Sequence, residues 1–368
     1  MASLDHDIAA YEAWLHKQCA VVEADLEAKH MRMRTSAFDF LRATYFRWAR
    51  TIESLCPELR DAPRAECVGN MHVENFGIWR DADARLVWGV NDFDEAAVMP
   101  YAYDLVRLVT SARLAPGITL ARKAIAAAVM DGYRRGLAEP RPMLVDENAV
   151  WLRPFTNASI KSVREFWQAL EDCPSVIPQD EVVRLLCKSL PKGAEVLRFA
   201  SRAKGSGSLG RPRFLIIASW NSGLVVREAK ALVPSAWAWA HAKKGRTGRF
   251  AELARGAWRS PDPKLKTGAG YIVRRVAPDS CKIEIGDIES HGLTPTLLSA
   301  MGADLGAIHA AGVKPRRIEA DLEMREPMWL ERATQAAEKM TRLEFAAFKS
   351  ASVQSSPGAN PIEARLSE

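Results

Sequence analysis

Two polar motifs on either side of a predicted β-hairpin constrain the fold of this chain most. The first is Gly-Asn-Met-His-Val-Glu-Asn-Phe-Gly at 69–77, and the second is Asn-Asp-Phe-Asp at 91–94. The apolar runs between them read as two strands joined by a polar turn, so the chain should double back and bring the motifs together. Asn75 and Asp92 would then lie at the two ends of one hairpin. Amide and carboxylate oxygens are suitable ligands for Mg²⁺ beside the phosphates of a nucleotide, so the hairpin predicts such a site.

Composition is that of an ordinary globular protein with room for two lobes. The chain has 368 residues, of which 48% are hydrophobic and 26% charged. A chain of this length buries enough apolar surface for a substantial core. The formal net charge of +6 is spread along the chain, which suits anionic ligands such as nucleotides but gives no nucleic-acid-binding tail. We therefore expect a nucleotide partner and consider nucleic acid unlikely.

Cysteine spacing and hydropathy predict a cytoplasmic protein with no membrane partner. The six cysteines are far apart and form no Cys-x-x-Cys pair, which favours reduced thiols over a metal cluster or a disulfide framework. The first residues are acidic and lack the apolar core of a signal peptide. No apolar run reaches the roughly 18 residues of a membrane span.

Helix-like and strand-like sequence patterns occupy different parts of the chain and predict an α+β protein. Residues 1–191 read as a helical lobe that carries both motifs, and 192–291 as a β-rich lobe. Helices at 292–349 should pack back on the helical lobe. The Ser- and Pro-containing tail at 350–368 is expected to be disordered.

A glycine loop in the β-rich lobe is the second candidate phosphate site. It reads Gly-Ser-Gly-Ser-Leu-Gly, and its candidate cofactor-binding residues are Gly205, Ser206, Gly207, Ser208 and Gly210. No helix begins at its third glycine, which argues against a dinucleotide-binding fold. The loop lies instead between two apolar β-like runs, where backbone N–H groups at a hairpin tip can cover phosphates.

A basic residue on the strand after this hairpin is a candidate phosphate ligand. Arg227 lies seventeen residues after Gly210, where a kinase-type lysine would contact phosphates. The alternative is a surface arginine on a half-buried strand. Lys230 should point to the opposite face of the strand, so the sequence ranks it below Arg227.

Asp94 and His72 are two further candidate site residues. Alternation in an extended segment would aim Asp94 to the same side as Asp92, as a second metal contact or as a turn cap. His72 has no second His or Cys nearby for zinc, so we expect it to hold the loop by hydrogen bonds.

The motifs together resemble the aminoglycoside phosphotransferase branch of the protein-kinase-like superfamily. That branch carries Gly-Asp-x-His-x-x-Asn, an Asp-containing strand end and a Tyr-Asp-Leu helix, which correspond here to 69–75, 91–94 and 103–105. The chain is more similar to the uncharacterised bacterial family DUF2252. The matching segments are the Phe-Leu-Arg helix, both motifs, the glycine hairpin, the strand after it and a late Ala-His helix, at 40–42, 69–77, 91–95, 205–210, 227–229 and 308–310.

The resemblance implies a two-lobed kinase-like fold in circularly permuted order. The glycine loop follows the first motif by about 130 residues here, whereas it precedes the catalytic loop in ordinary kinases. ATP or another nucleoside triphosphate, with Mg²⁺, would occupy the cleft between the lobes. The implied function is phosphoryl transfer to the hydroxyl of an unknown small molecule or protein.

The resemblance also implies roles, with two departures. Asn75 and Asp92 correspond to the Mg²⁺ ligands, and Asp104 to the carboxylate that braces the catalytic loop. Asn70 stands where the family has its catalytic Asp, and Arg227 where it has Lys. An amide cannot accept a proton from the acceptor hydroxyl, although it can orient that hydroxyl.

These departures leave three hypotheses open. The first is an active phosphotransferase in which Glu74 or Asp94 substitutes as the base. The second is a pseudokinase that binds nucleotide as a sensor or scaffold without turnover. The third is a basic binding protein that retains only the fold.

Overall fold

Helices form both ends of the described part of the chain, and most of its strands lie between them. The computed structural model describes residues 2–155, 159–203, 205, 207–242, 249–280 and 292–354, which form a mixed helix-and-sheet protein. Its helices are α1 (Leu4–His16), α2 (Glu23–Met33), α3 (Ala37–Ala43), α4 (Tyr45–Leu55), α5 (Ala102–Leu114), α6 (Arg122–Ala138), α7 (Ile160–Glu171), α8 (Asp180–Cys187), α9 (Ala236–Ala240), α10 (Phe250–Ala254), α11 (Pro295–Gly312), α12 (Pro315–Met324) and α13 (Trp329–Gln354). The predicted α+β class is confirmed at this level.

The described strands form three antiparallel sheets. They are β1 (Arg64–Cys67), β2 (Phe76–Arg80), β3 (Leu86–Val90), β4 (Ala97–Pro100), β5 (Met143–Leu144), β6 (Glu195–Ser201), β7 (Arg213–Trp220), β8 (Gly223–Ala231), β9 (Lys266–Gly268) and β10 (Tyr271–Val276). β1 pairs with β4, β3 lies between β2 and β5, and the largest sheet has the order β6-β7-β8-β10-β9. β6 and β7 flank the glycine loop.

The predicted hairpin between the two polar motifs is confirmed. Phe76 pairs with Val90 at its open end, and the backbone N–H of Asn91 donates to the carbonyl of Asn75 at 3.1 Å. Hairpin residues such as Phe76 and Trp88 are completely buried and stack on each other. The hairpin is therefore a rigid support that fixes the spacing of the two motifs.

Helix α11 returns from late in the chain to lie directly against α6. A Cβ atom on Gly132 would stand 1.8 Å from the carbonyl oxygen of Ser299, and one on Gly302 would stand 2.1 Å from that of Val129. Only glycine allows the two backbones to approach so closely. This contact positions α11 behind β3, where the Asp304 carboxylate accepts from the backbone N–H of Val90 at 2.7 Å.

The C-terminal helix extends beyond its predicted end. α13 continues to Gln354, so the first residues of the predicted tail at 350–368 are helical. The remainder of that tail lies outside the described residues. No helix in the described part of the chain combines the length and apolarity needed to cross a bilayer.

Candidate active site

A polar cleft of about 550 Å³ joins the two candidate regions. It contains most of the site residues predicted from sequence, namely Asn70, His72, Asn75, Asp92, Asp94, Gly205, Gly207 and Ser208. Asp104 lies behind one wall, Gly210 and Arg227 are not among the lining residues, and Ser206 lies outside the described residues. Lining residues between 70 and 95 and described residues between 203 and 213, far apart in sequence, therefore belong to one cavity.

The loop at 69–75 is held from behind by helix α5. The buried carboxylate of Asp104 accepts hydrogen bonds from the backbone N–H groups of Val68 and Gly69 at 2.6 and 2.9 Å. The Ser111 hydroxyl accepts from the N–H of Val73 at 3.0 Å. Gly69 has φ +82°, a left-handed conformation that favours glycine. Asp104 thus holds the backbone at the start of the loop.

A second layer of buried groups supports Asp104. A hydrogen bond of 3.3 Å joins it to His309 on α11, and the other ring nitrogen of His309 bonds the hydroxyl of Tyr133 at 2.8 Å. The Cys67 thiol lies in the same group, and ligand atoms of Cys67, Asp104 and His309 are within 4.8 Å of one another. Burial raises the pKa of the Cys67 thiol well above its usual value, which disfavours the thiolate that a metal needs. This cluster braces the loop.

Both ends of the Asn70 amide are occupied by protein groups. Its oxygen accepts from two nitrogens of the buried Arg107 guanidinium, Nη2 at 2.6 Å and Nε at 3.2 Å. Its nitrogen donates to the carbonyl of Arg42 at 3.1 Å. These partners fix the orientation of the amide, because arginine only donates and a carbonyl only accepts. Asn70 therefore presents its N–H side, and not its oxygen, towards the glycine loop.

Arg107 is a buried cation whose hydrogen-bond partners are neutral. Besides Asn70 it donates to the carbonyl of Leu41 at 2.7 Å, and it packs over the rings of Tyr45 and Trp48. Burial lowers the pKa of Arg107 to about 9. Within the described residues no carboxylate is in ion-pair contact with it.

Asn75 has an oxygen suited to a metal ion. The residue is 2% exposed, and its Oδ1 has no hydrogen-bond partner among the described residues. Its nitrogen donates to the backbone carbonyls of Asp92 at 3.0 Å and Asn70 at 3.4 Å, which fixes the side chain beside Asp92. A buried oxygen without a donor is costly unless a ligand compensates it. The pair of Asn75 and Asp92 therefore fits a hard cation such as Mg²⁺.

The carboxylates of the second motif are paired with cations from the β-rich part of the chain. The Lys230 ammonium contacts Asp92 at 3.3 Å and also contacts Asp94. Arg211 contacts Asp94 at 3.5 Å and Glu95 at 2.5 Å. Burial raises the pKa of Asp94, with repulsion from Asp92 in the same direction, while Lys230 and Arg211 oppose both effects.

Arg227, which the sequence ranks above Lys230 as a phosphate ligand, is not among the residues that line the cleft. Its guanidinium donates to the carbonyls of Ser189 at 3.3 Å and Val226 at 2.9 Å, on the α8 side of the sheet. The two residues do lie on opposite faces of β8, as alternation requires. Lys230 lies on the other face, where its ammonium contacts the cleft carboxylates Asp92 and Asp94.

An arginine cluster on the same wall was missed by sequence reasoning. The buried carboxylate of Glu228 contacts Arg213 at 2.9 Å, Arg274 at 2.7 Å and Arg202 at 3.3 Å. Although burial opposes it, the charges of these arginines hold the pKa of Glu228 well below its usual value. A usable signal existed, because β8 carries Arg227, Glu228 and Lys230 beside apolar residues, and charged residues in a buried strand need partners.

The glycine loop lies directly over Asn70. A Cβ atom on Gly207 would stand 3.0 Å from the Asn70 amide nitrogen, so a side chain there would press on the amide. Gly205 has φ +85°, and the Ser208 hydroxyl accepts from Arg213 at 3.0 Å. Gly210 turns away and accepts from the N–H of Val22 at 2.9 Å. Gly210 therefore anchors the loop to the start of α2.

Comparison with known families supports the assignment made from the motifs. Residues 21–171 match the model of a family described as uncharacterized protein conserved in bacteria (DUF2252). This segment includes both polar motifs, Asp104 and Arg107. No curated protein and no solved structure matches the chain.

Proposed function

We propose that this protein is a kinase-like protein in permuted order that binds a nucleoside triphosphate with Mg²⁺ and transfers a phosphoryl group to an acceptor hydroxyl. The observation that carries the proposal is the shared cleft. Asn75 and Asp92, with the features of metal ligands, face a glycine loop about 130 residues later in the chain. A hard-cation site opposite a glycine loop is what phosphoryl transfer requires, because positioning and charge neutralisation supply most of its catalysis.

The residues on the two walls have complementary tasks in this proposal. Asn75 and Asp92 would hold Mg²⁺, which supplies charge neutralisation on the phosphates when bound. Backbone N–H groups around Gly205 and Gly207 would cover those phosphates. Lys230, which now pairs with Asp92 and Asp94, would exchange these carboxylates for phosphate oxygens.

Thermal unfolding with and without ligand tests the binding step. ATP with Mg²⁺ should raise the melting temperature, since a ligand at a hundred times its Kd stabilises the folded state by about 2.7 kcal/mol. Asp92→Ala should abolish the Mg²⁺-dependent part of that rise. Asp172→Ala, at an exposed site after α7, is the matched control and should respond like the wild type. Absence of a shift with millimolar ATP or GTP would contradict the nucleotide site.

A second candidate, a nucleotide-binding pseudokinase, is favoured by the state of Asn70. Its oxygen is occupied by Arg107, so it cannot accept a hydrogen bond from an acceptor hydroxyl. The two substitute bases considered above are also paired, Glu74 with Arg42 at 2.7 Å and Asp94 with Lys230 and Arg211. Phosphate release from ATP with Mg²⁺ separates the candidates, because a pseudokinase would bind the nucleotide with release at the background rate.

A further inference from the structure

One wall of the cleft, called the β-lobe wall, is formed by strands β7, β8 and β10. It contains three guanidinium groups around a single carboxylate. Arg213 comes from β7, Glu228 from β8 and Arg274 from β10, and strand pairing places Arg274 directly opposite Glu228. Arg202 completes the group just beyond β6. On the other side of β8, Arg213 pairs with Lys230, two residues along from Glu228 and therefore on the same face, so the backbone register brings both arginines to the carboxylate.

The charge of this cluster is not balanced internally. One carboxylate with two oxygens faces three cations, and Glu228 is completely buried. Arg213 is 6% exposed, so water solvates its charge poorly. Surplus charge in such a place is costly unless an anion compensates it.

The uncompensated positive charge lies at the surface of the cleft. Both Arg213 and Arg274 line the cleft, beside Gly205 and Ser208 of the glycine loop. Arg213 also holds the Ser208 hydroxyl, so the loop and the arginine would contact the same ligand. Asp92 and Asp94 across the cleft also attract Arg274, but both carboxylates are shared with Lys230.

We propose that Arg213 and Arg274, oriented by Glu228, form a phosphate clamp for the phosphate chain of the ligand. The clamp rests on the proposed function for the identity of that ligand, a nucleoside triphosphate, but its own chemistry requires only a polyphosphate. Guanidinium groups bind phosphate oxygens through paired N–H donors, a geometry that lysine cannot provide. Glu228 is a positioning residue, because its carboxylate holds the guanidinium groups of Arg213 and Arg274 and would not itself contact the ligand.

Two neighbouring arginines on β10 provide a matched pair of variants. Arg274 faces Glu228 and the cleft, whereas Arg275 pairs across the sheet with Arg227 and contacts Asp262 at 3.5 Å on the other face. Replacing either by alanine removes one positive charge from the same strand. Any difference between Arg274→Ala and Arg275→Ala in ligand affinity therefore reports on position and not on net charge.

Calorimetric titration with inorganic tripolyphosphate, without Mg²⁺, tests the clamp separately from the nucleotide. We expect Arg274→Ala to weaken tripolyphosphate binding by about 10- to 100-fold, the effect of losing charge-assisted hydrogen bonds, and Arg275→Ala by less than about twofold. Equal affinities for the two variants, or no binding by the wild type, would overturn the clamp. If Arg274→Ala does not fold, Arg274→Lys and Arg213→Lys keep the charge but lose the fork, and both should bind measurably more weakly than the wild type.

The same titrations distinguish failure of the clamp from failure of the proposed function. Mg²⁺-dependent ATP binding that is lost in Asp92→Ala but is equal in Arg274→Ala and Arg275→Ala would overturn the clamp and leave the nucleotide site standing. Arg274-dependent binding of tripolyphosphate, with ATP no tighter and no effect of Asp92→Ala, would support the clamp and overturn the nucleotide function.

Discussion

The two walls of the cleft are stabilised by different interactions: hydrogen bonds to buried side chains on the loop wall, at 68–75, and ion pairs on the β-lobe wall. On the loop wall, the backbone at 68–73 and the Asn70 amide are hydrogen-bonded to buried side chains of α5, namely Asp104, Arg107 and Ser111. On the β-lobe wall, Glu228 pairs with Arg213 and Arg274, which line the cleft, and Lys230 pairs with the cleft carboxylate of Asp92. The first wall is fixed by contacts that a ligand cannot reach. The second consists of charges that a ligand can re-pair.

This difference indicates which side-chain contacts would change when a ligand binds and which would not. The geometry of the loop wall is set by folding alone, including the orientation of the Asn70 oxygen towards Arg107. Under the proposed function Lys230 would exchange Asp92 and Asp94 for phosphate oxygens, whereas Arg213 and Arg274 would bind phosphate while Glu228 continues to hold them. Substitutions behind the loop should therefore change stability, and those on the β-lobe wall should change ligand binding as well.

The largest expected effect is at the brace of the loop wall. Asp104→Ala leaves the buried N–H groups of Val68 and Gly69 without an acceptor, each at a cost of about 1–3 kcal/mol. We expect the free energy of unfolding to fall by about 3–5 kcal/mol in urea denaturation. Asp172→Ala, at an exposed position, should change it by less than about 0.5 kcal/mol. A loss below about 1 kcal/mol in Asp104→Ala would show that the loop does not depend on α5.

The loop wall was largely predictable from sequence because its information is local. Spacing alone placed Asn75 and Asp92 at the ends of one hairpin, and the structure has that hairpin. The contact of Asp104 came from the resemblance to a known motif series. The contact of Arg107 with Asn70 was not predictable, because it depends on how α5 packs behind the loop.

The β-lobe wall was less predictable because it depends on which face of each strand looks inward. Alternation correctly separated Arg227 from Lys230 but could not tell which one faces the cleft, since both faces of β8 are buried. The cluster around Glu228 requires the register of the β7–β8 hairpin and also the pairing of β8 with β10, which comes from a later part of the chain. Tertiary pairing, and not local pattern, creates this half of the site.

A smaller effect is expected at the centre of the β-lobe wall. Glu228→Gln keeps the shape but removes the charge that three arginines share, so we expect a loss of about 3 kcal/mol near neutral pH. The pKa of Glu228 is lower in the folded protein than the ordinary value of 4.5. Its stabilisation is therefore complete above that value and declines as the pH falls below it.

Urea denaturation at several pH values measures this contribution. The difference in unfolding free energy between wild type and Glu228→Gln should be constant above about pH 5 and shrink towards about pH 3. Glu195→Gln, at an exposed position on β6, is the control and should show little difference at any pH. A difference for Glu228→Gln that does not vary with pH would show that the carboxylate contributes through packing and not through charge.

The smallest expected effect on stability is at Asn70, where the two walls meet. Asn70→Asp gives Arg107 an ionic partner but places a carboxylate oxygen against the carbonyl of Arg42, which now accepts from the amide at 3.1 Å. A hydrogen-bonded ion pair is worth more than the neutral bond that is lost, so we expect a net gain of about 1 kcal/mol in urea denaturation. Asn70→Ala, which loses both contacts, should be destabilised instead.

Phosphate release by Asn70→Asp then decides what this stabilisation means for function. A gain in ATP hydrolysis over wild type would mark the natural loop as catalytically disabled, because the variant restores a carboxylate that can accept a proton. Reduced release would show that the amide already has a working role, and the N–H side of Asn70, which faces Gly207, is the part that could contact a phosphate oxygen. Either result would follow from an Asn70 geometry that protein contacts fix without a ligand, in contrast to the ion pairs of the β-lobe wall, which a ligand can change.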